Sequence, residues 1–335
     1  MENDSRKITT LRDVAREANL SVTAVSRVLN GKDGVSQETA ERVRQIAQRM
    51  NYSPNVIAKS LRLNVTKTIG VITSDSSNGF FARVIKGVDD AMVHKGYNII
   101  LCNSNSEKEK ERRAIEVLLS KRVDGLIIVA PLLTSEEDVS FLHSLGIPVV
   151  LISRKADGHV SYVISDNVSG AYQLVCYMVQ KGYQKIHFLN IPEDISSGKE
   201  RLDGYKKALA ENGIPFRESL VRYAKPTVES GYNVMTELLG RGEKVEALFC
   251  GCDVLAIGAM QAIYGHGLKI PRDIVLAGYD DIELAAYLRV PLTTVAQPGY
   301  EMGYKGAEMI LKKIAGNKKD YHLVLKAELV VRESV

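Results

Sequence analysis

The chain has 335 residues, 45% of them hydrophobic and 25% charged, enough apolar material for two or three packed domains. No apolar run approaches the length of a bilayer span, and the opening MENDSRKITT is too polar for a secretory signal, so a cytoplasmic protein with no membrane partner is expected. The net charge of +4 lies wholly in residues 1–66, where 11 Lys and Arg face 7 Asp and Glu, while the remainder is balanced.

A small basic unit on a neutral body suggests a polyanionic partner. Four cysteines, at 102, 176, 250 and 252, are too few and too scattered for a disulfide framework, which fits a reducing compartment.

Residues 8–49 read as three short helices. Thr10 can cap LRDVAREAN, in which Leu11, Val14, Ala15 and Ala18 form one apolar stripe. Ser21 can cap VTAVSRVLN, with Ala24, Val25, Val28 and Leu29 inward and Gly31 as the stop. Ser36 caps a third helix in a capping-box-like arrangement with Thr39, and Ala40, Val43, Ile46, Ala47 and Met50 give its stripe. The short turn between the first two fits a helix-turn-helix. Its second helix then turns Val22, Thr23, Ser26 and Arg27 outward, where the N-terminal residues can meet base edges in a major groove. A plain three-helix bundle would show the same spacing.

Pro54 breaks what precedes it. Residues 55–63 could form about two helical turns, marginal alone but able to fold on DNA, with Lys59 and Arg62 reaching phosphates and Leu61 wedged between base steps. The same stretch could equally be an interdomain linker.

From Ile69 onward, strands and helices alternate. Strands are predicted in TIGVIT, YNIILCN, DGLIIVAP, IPVVLIS, YVIS, KIHFLN, EALFCG and IVLAGY. Helices are predicted over 80–95, 107–121, 136–144, 167–181, 198–212, 229–240, 253–265 and 300–315. This is the signature of parallel α/β sheets, here in two lobes, with ligands expected beyond the C-terminal strand ends. Asp75, Asp166, Asp253 and Asp280 stand at such ends, Phe80 and Phe81 follow the first strand, and Arg201 opens the helix ERLDGYKKAL. Carboxylates and a guanidinium hydrogen-bond adjacent hydroxyls, and aromatic faces cover the apolar side of a sugar or base. Asp75 and Asp166 fit helix capping equally well. Arg154 could meet an acidic ligand or form a surface salt bridge.

Stretches such as TLRDVAREANLSVTAVSRVLNG, NYSPNVIAKSLR, KRVDGLIIVAP, ISDNVSGAY, AGYDDIELA and PLTTVAQPGYEMGYKGAEMIL resemble the lactose-repressor/galactose-repressor (LacI/GalR) family of bacterial regulators. The resemblance runs through nearly the whole chain. It implies an all-α helix-turn-helix headpiece followed by a two-lobed α/β core of parallel sheets, like that of periplasmic binding proteins. The implied boundaries are 7–53 for the headpiece, 54–67 for a hinge helix, 68–164 plus 293–320 for the N-terminal subdomain, and 165–292 plus 321–335 for the C-terminal one.

It further implies a homodimer on near-palindromic operator DNA. The end at ELVVRESV, with no heptad segment, fits a dimer. The implied DNA-facing residues are Thr10, Ser21, Val22, Thr23, Ser26, Arg27, Asn30, Asn55, Ala58, Lys59 and Leu61. The resemblance places Phe80, Arg201 and Asp280 in the effector pocket; Phe81, Arg154, Asp166, Ser197 and Asp253 are further effector-binding candidates from their places near strand ends and helix starts. Cys252 departs from the family, in which many sugar-responsive members carry Asn there. The expected function is a repressor of a carbohydrate uptake or catabolic operon, answering to a sugar or sugar derivative. A global regulator answering to a phosphorylated partner protein, or a purine-responsive repressor, would share the fold.

Enzymatic function is not expected. No G-x-S-x-G, G-x-G-x-x-G or P-loop occurs, and the six histidines lack metal spacing. No cofactor or metal is implied.

Overall fold

The computed structural model describes residues 9–31, 33–52, 65–156 and 159–335. The expectations at Asn55, Ala58, Lys59, Leu61 and Arg62, and most of the proposed hinge, lie outside the described residues. The chain divides into two compact units, Met1–Thr66 and Lys67–Val335.

In the first unit, helices α1 (Leu11–Ala18), α2 (Val22–Leu29) and α3 (Gln37–Arg49) surround Val14, Ala15, Ala18, Val25, Val28, Val43 and Ala47. Each helix starts where a hydroxyl residue can satisfy an orphan amide. Thr10 and Asp13 form a reciprocal capping box, Ser21 accepts from the Ala24 N–H, and Ser36 accepts from the Thr39 N–H. Asn19 ends α1 in the left-handed region at φ 54°, a conformation Asn tolerates, and Gly31 follows α2 at φ 65°. Arg42 donates to the Ala18 carbonyl, and Thr9 donates to the Met50 carbonyl.

The second unit opens with strand β1 (Thr68–Thr73), helix α4 (Gly79–Val93), β2 (Asn98–Asn103), α5 (Lys108–Ser120), β3 (Gly125–Val129), α6 (Glu136–Ser144), β4 (Val149–Ile152) and β5 (Ser161–Ser165). It continues with α7 (Asn167–Gln180), β6 (Ile186–Asn190), α8 (Ser196–Glu211), β7 (Val221–Tyr223), α9 (Val228–Gly240), β8 (Ala247–Cys250), α10 (Asp253–Gly265) and β9 (Val275–Ala277). It closes with β10 (Thr294–Ala296), α11 (Gly299–Ile314), β11 (His322–Leu325) and β12 (Glu328–Val330). Among the described residues, no helix is long and apolar enough to cross a membrane.

Two parallel sheets form, in the orders β11-β5-β4-β3-β1-β2 and β7-β6-β8-β9. The inner strands β1, β3, β4, β6 and β8 are almost continuously apolar and buried, as sheets covered by helices on both faces require, while the edge strands β2, β7 and β11 are partly exposed. The chain passes between the lobes after β5, around β10 and after β11. These passages are tied together. Ser165 Oγ donates to Gln297 Oε1, the Asp166 N–H donates to the Leu325 carbonyl, and β10 pairs antiparallel with β12.

Two boundaries differ from expectation. Residues 293–296, expected in the N-terminal subdomain, pack on the second lobe, with Val295 in its core and β10 paired to β12. Residues 321–335 are expected as a block in the C-terminal subdomain, yet β11 lies at the edge of the first sheet, with His322 opposite Tyr162 and Leu325 opposite Ser165. The third passage follows this strand, so it is from Ala327 that the chain packs on the second lobe. A four-residue edge strand without clean alternation gives little pattern to read.

Candidate effector site and DNA-facing helix

On the first unit, the surface of α2 follows the apolar pattern. Ser21, Val22, Thr23, Arg27 and Asn30 are exposed, Val22 at 41%, and Ser26 is half-buried. Thr10 is exposed at the start of α1. Arg27 does not simply project outward. Its guanidinium donates to the Asp33 carbonyl, Nε at 3.0 Å, and lies over Gly34, where an added Cβ would meet Nη2 at 2.7 Å. Asn30 turns back to donate to the Ser26 carbonyl at 2.7 Å. Both thus brace the end of the helix, whereas Val22 and Thr23 stand at its open N-terminal face.

In the second unit, several strand ends carry left-handed residues: Ala130 at φ 57°, Ser153 at φ 74°, Asp280 at φ 123° and Asp281 at φ 53°. Non-glycine residues held in such conformations cost on the order of 1–3 kcal/mol each and cluster at ligand sites. Asp280 is held by a bridge to Ala296 and by the amide of Gln297, whose Nε2 donates to its Oδ1 at 2.6 Å.

Arg201 lies in the second turn of α8 rather than at its start, and only 4% of it is exposed. Its Nε donates to Asn167 Oδ1 at 3.1 Å and its Nη1 to the Gly251 carbonyl. Nη2 lies 3.8 Å from Asp280 Oδ1, and the guanidinium stacks 3.9 Å above the Tyr279 ring. Burial pushes the Asp280 carboxyl up to about 6, against the opposing pull of Arg201 and the Gln297 hydrogen bond.

Arg154, after β4, is 7% exposed, and its Nη1 donates to the Pro131 carbonyl at 3.1 Å. Burial lowers its guanidinium to about 10; Glu111 pulls it upward, Arg201 pushes it down and Asp194 raises it. It remains a cation at neutral pH. Arg201 belongs to the other lobe, and the neighbours of the two arginines, Lys155 and Glu200, meet across the cleft at 2.7 Å. Phe80 is buried at the start of α4, with Phe81 half-buried beside it, ring centroids 5.4 Å apart. Ser197 is buried in the first turn of α8.

The other aspartates have structural duties. Asp75 is exposed and accepts from the Ser77 N–H and hydroxyl. Asp166 caps α7 through the Ser169 N–H at 2.9 Å. Asp253 is 0% exposed, and its two oxygens accept from the Ile282 N–H at 2.9 Å and Thr294 Oγ1 at 2.6 Å. Burial, reinforced by Asp280, drives its carboxyl upward. Asp253 therefore clamps the loop that carries Asp280. The structure thus pairs Arg201 with Asp280 and buries Arg154 at the end of a strand of the other lobe, gives Asp75 and Asp166 bonds within their own turns, and ties Asp253 to the distant Ile282 and Thr294.

Sequence reasoning missed Gln297, Asn167 and Ser165. Gln297 follows β10, three residues that did not register as a strand; Asn167 stands beside an aspartate that drew the attention. A cavity of about 290 Å³ lined by Tyr205, Leu209, Ile214 and Arg217 lies at the opposite, N-terminal ends of β6 and β7, the wrong end for a ligand site in a parallel sheet. Cys250 and Cys252 are free and buried, and burial raises both thiols. Among the described residues, no His, Cys, Asp and Glu cluster could hold a metal ion.

A two-lobed α/β binding body, joined in one chain to a helix-turn-helix unit with an open recognition face, defines a class of ligand-binding regulator. The chain belongs to the LacI family. The model described as "Bacterial regulatory proteins, lacI family" matches residues 10–55, and that of "Periplasmic binding proteins and sugar binding domain of LacI family" matches residues 66–327. The chain is 36% identical over 331 residues to the HTH-type transcriptional regulator RegA of Clostridium saccharobutylicum, covering 97% of this chain and 99% of RegA. Among solved structures it is similar to the lac repressor dimer bound to operator and the anti-inducer ONPF, with a TM-score of 0.88 and 29% identity over 98% of this chain and 99% of that one. It is also similar to the transcriptional regulator CelR in complex with cellobiose, with a TM-score of 0.75 and 32% identity over 98% of this chain and 100% of that one.

Proposed function

We propose that the protein is a cytoplasmic, homodimeric transcriptional repressor that binds a near-palindromic operator and releases or grips it in response to a sugar or sugar derivative between the lobes. The observation that carries this reading is the buried Arg201–Asp280–Gln297 set, which joins a strained strand end to the passages between the lobes. A ligand hydrogen-bonding these groups interacts differently with the open and closed arrangements, and that difference is what an allosteric ligand needs. In this reading Val22 and Thr23 select bases, and Asn55, Ala58, Lys59 and Leu61 engage the centre of the site. The operator-bound lac repressor and cellobiose-bound CelR support each half by likeness.

The test is fluorescence anisotropy of the full chain on DNA from upstream of its own gene, with random duplex as competitor. Sugars, sugar acids, phosphosugars and purines are added in turn. We expect selective binding at moderate ionic strength that at least one metabolite shifts fivefold or more, a coupling on the order of 1 kcal/mol. Equal affinity for random duplex under every condition would refute the reading. A shift produced by purines alone would redirect it to nucleobases.

A further inference from the structure

We propose that the effector is anionic, a polyhydroxylated molecule bearing a carboxylate or phosphate that lies between Arg154 of the first lobe and Arg201 of the second. This rests on the reading of the cleft as the effector site. Both guanidiniums are more than nine-tenths buried. Arg154 makes one hydrogen bond, to a carbonyl, and among the described residues no carboxylate oxygen comes within 4.0 Å of its nitrogens. Glu111, which lies near enough to influence it, has both oxygens engaged by the N–H groups of Leu132 and Leu133 at 3.0–3.1 Å.

The charge balance in the cleft is uneven. Asp280 faces Arg201 from 3.8 Å and already accepts from Gln297. Asp253 has both oxygens engaged, by the Ile282 N–H and the Thr294 hydroxyl. The residues that follow β4 and β8 and could have offered further acceptors are Ser153 and Cys252, both uncharged. Of the two buried cations, Arg201 thus has a carboxylate at ion-pair distance, while Glu111 and Asp194 act on Arg154 only from farther off. Buried charge without a hydrogen-bonded counter-charge is costly, and two guanidiniums from opposite lobes resist closure. An oxyanion between them would offset that repulsion through charge-assisted hydrogen bonds, and its binding would itself favour the closed arrangement. A neutral sugar would use Asp280 and leave Arg154 without a hydrogen-bonded counter-charge.

The test is calorimetric titration of the full chain, at constant ionic strength, with ribose, ribonate, ribose 5-phosphate and inorganic phosphate. Wild type, Arg154→Gln and Arg154→Lys are compared, each first shown by circular dichroism to be folded. We expect at least one anionic sugar to bind about tenfold or more tightly than ribose. That ratio falls towards one in Arg154→Gln and is largely kept in Arg154→Lys. Carboxylate and phosphate are told apart by which derivative wins. Equal or weaker binding of every anion, or an unchanged ratio in Arg154→Gln, overturns the proposal. If ribose binds and Asp280→Asn abolishes that binding, the effector-cleft reading survives such a failure; if ligands bind wild type and Asp280→Asn alike, the cleft reading falls as well.

Discussion

Asp280 shows how much of the site is set by one residue's surroundings. Its carboxyl is raised from an ordinary 3.8 to about 6 because burial outweighs the attraction of Arg201, a penalty on the order of 3 kcal/mol when the group is ionised. A carboxyl with a raised value in the folded state binds its proton more tightly there than in the unfolded chain. Its contribution to stability is therefore present below about pH 4 and is lost as pH rises to about 6, with little change above. Denaturant melts of wild type and Asp280→Asn from pH 4.5 to 8 should show the variant gaining on wild type as pH rises through this window. Parallel curves would mean that Asp280 does not carry this ionisation. The position of Asp280 was legible, since GYDD follows an apolar strand. Its strained backbone, its bond to Gln297 and the clamp from Asp253 were not, because each depends on segments that meet only in the folded lobe. At Arg27 the exposed position on α2 was legible, but the donation of its guanidinium to the Asp33 carbonyl was not, since that loop's course is set by the fold.

Helix positions were the most legible elements, because hydroxyl caps and 3.6-residue stripes are local signals. Ser21 and Ser36 cap helices as their sequences suggest, and most α/β helices fall within two residues of expectation. The strands β7, β10, β11 and β12 went unread, since three or four residues carry no usable alternation. How closely helices approach was also hidden. α4 and α11 cross at Gly87 and Gly303, where an added Cβ would lie 2.0 Å from the Tyr300 carbonyl oxygen and 1.9 Å from that of Val84. Both obstacles are backbone and cannot swing aside. Gly303→Ala should cost about 3 kcal/mol or more by denaturant unfolding; a loss below about 1 kcal/mol would show that the helices separate easily. On α2, Val22 and Thr23 are exposed at the N-terminal face, so exchanging them should change which bases are preferred in a selection from randomised duplexes. An unchanged preference would place the recognition face elsewhere.

The second unit is two lobes joined by three passages, and among the described residues two polar side-chain contacts reach across its cleft. Lys155, after β4, meets Glu200 of α8 at 2.7 Å, and Arg83 of α4 donates to the Asp281 carbonyl at 2.7 Å. Opening the lobes must break both, so they favour the arrangement that encloses Arg154 and Arg201. The Lys155–Glu200 pair is partly exposed and contributes at most about 1 kcal/mol. Glu200→Gln should therefore weaken effector binding by up to about fivefold without unfolding the chain, as read by calorimetry alongside a thermal melt. The same variant reports the sign of regulation. For a ligand that releases DNA on closure, loss of the strut strengthens operator binding at fixed effector concentration; for a ligand that promotes binding, it weakens it. Binding free energies are linked, so the two readouts must move together. An effector affinity that stays constant or rises in Glu200→Gln would mean that the bridged arrangement is not the one the ligand selects, and the link from cleft closure to DNA would have to run through other contacts.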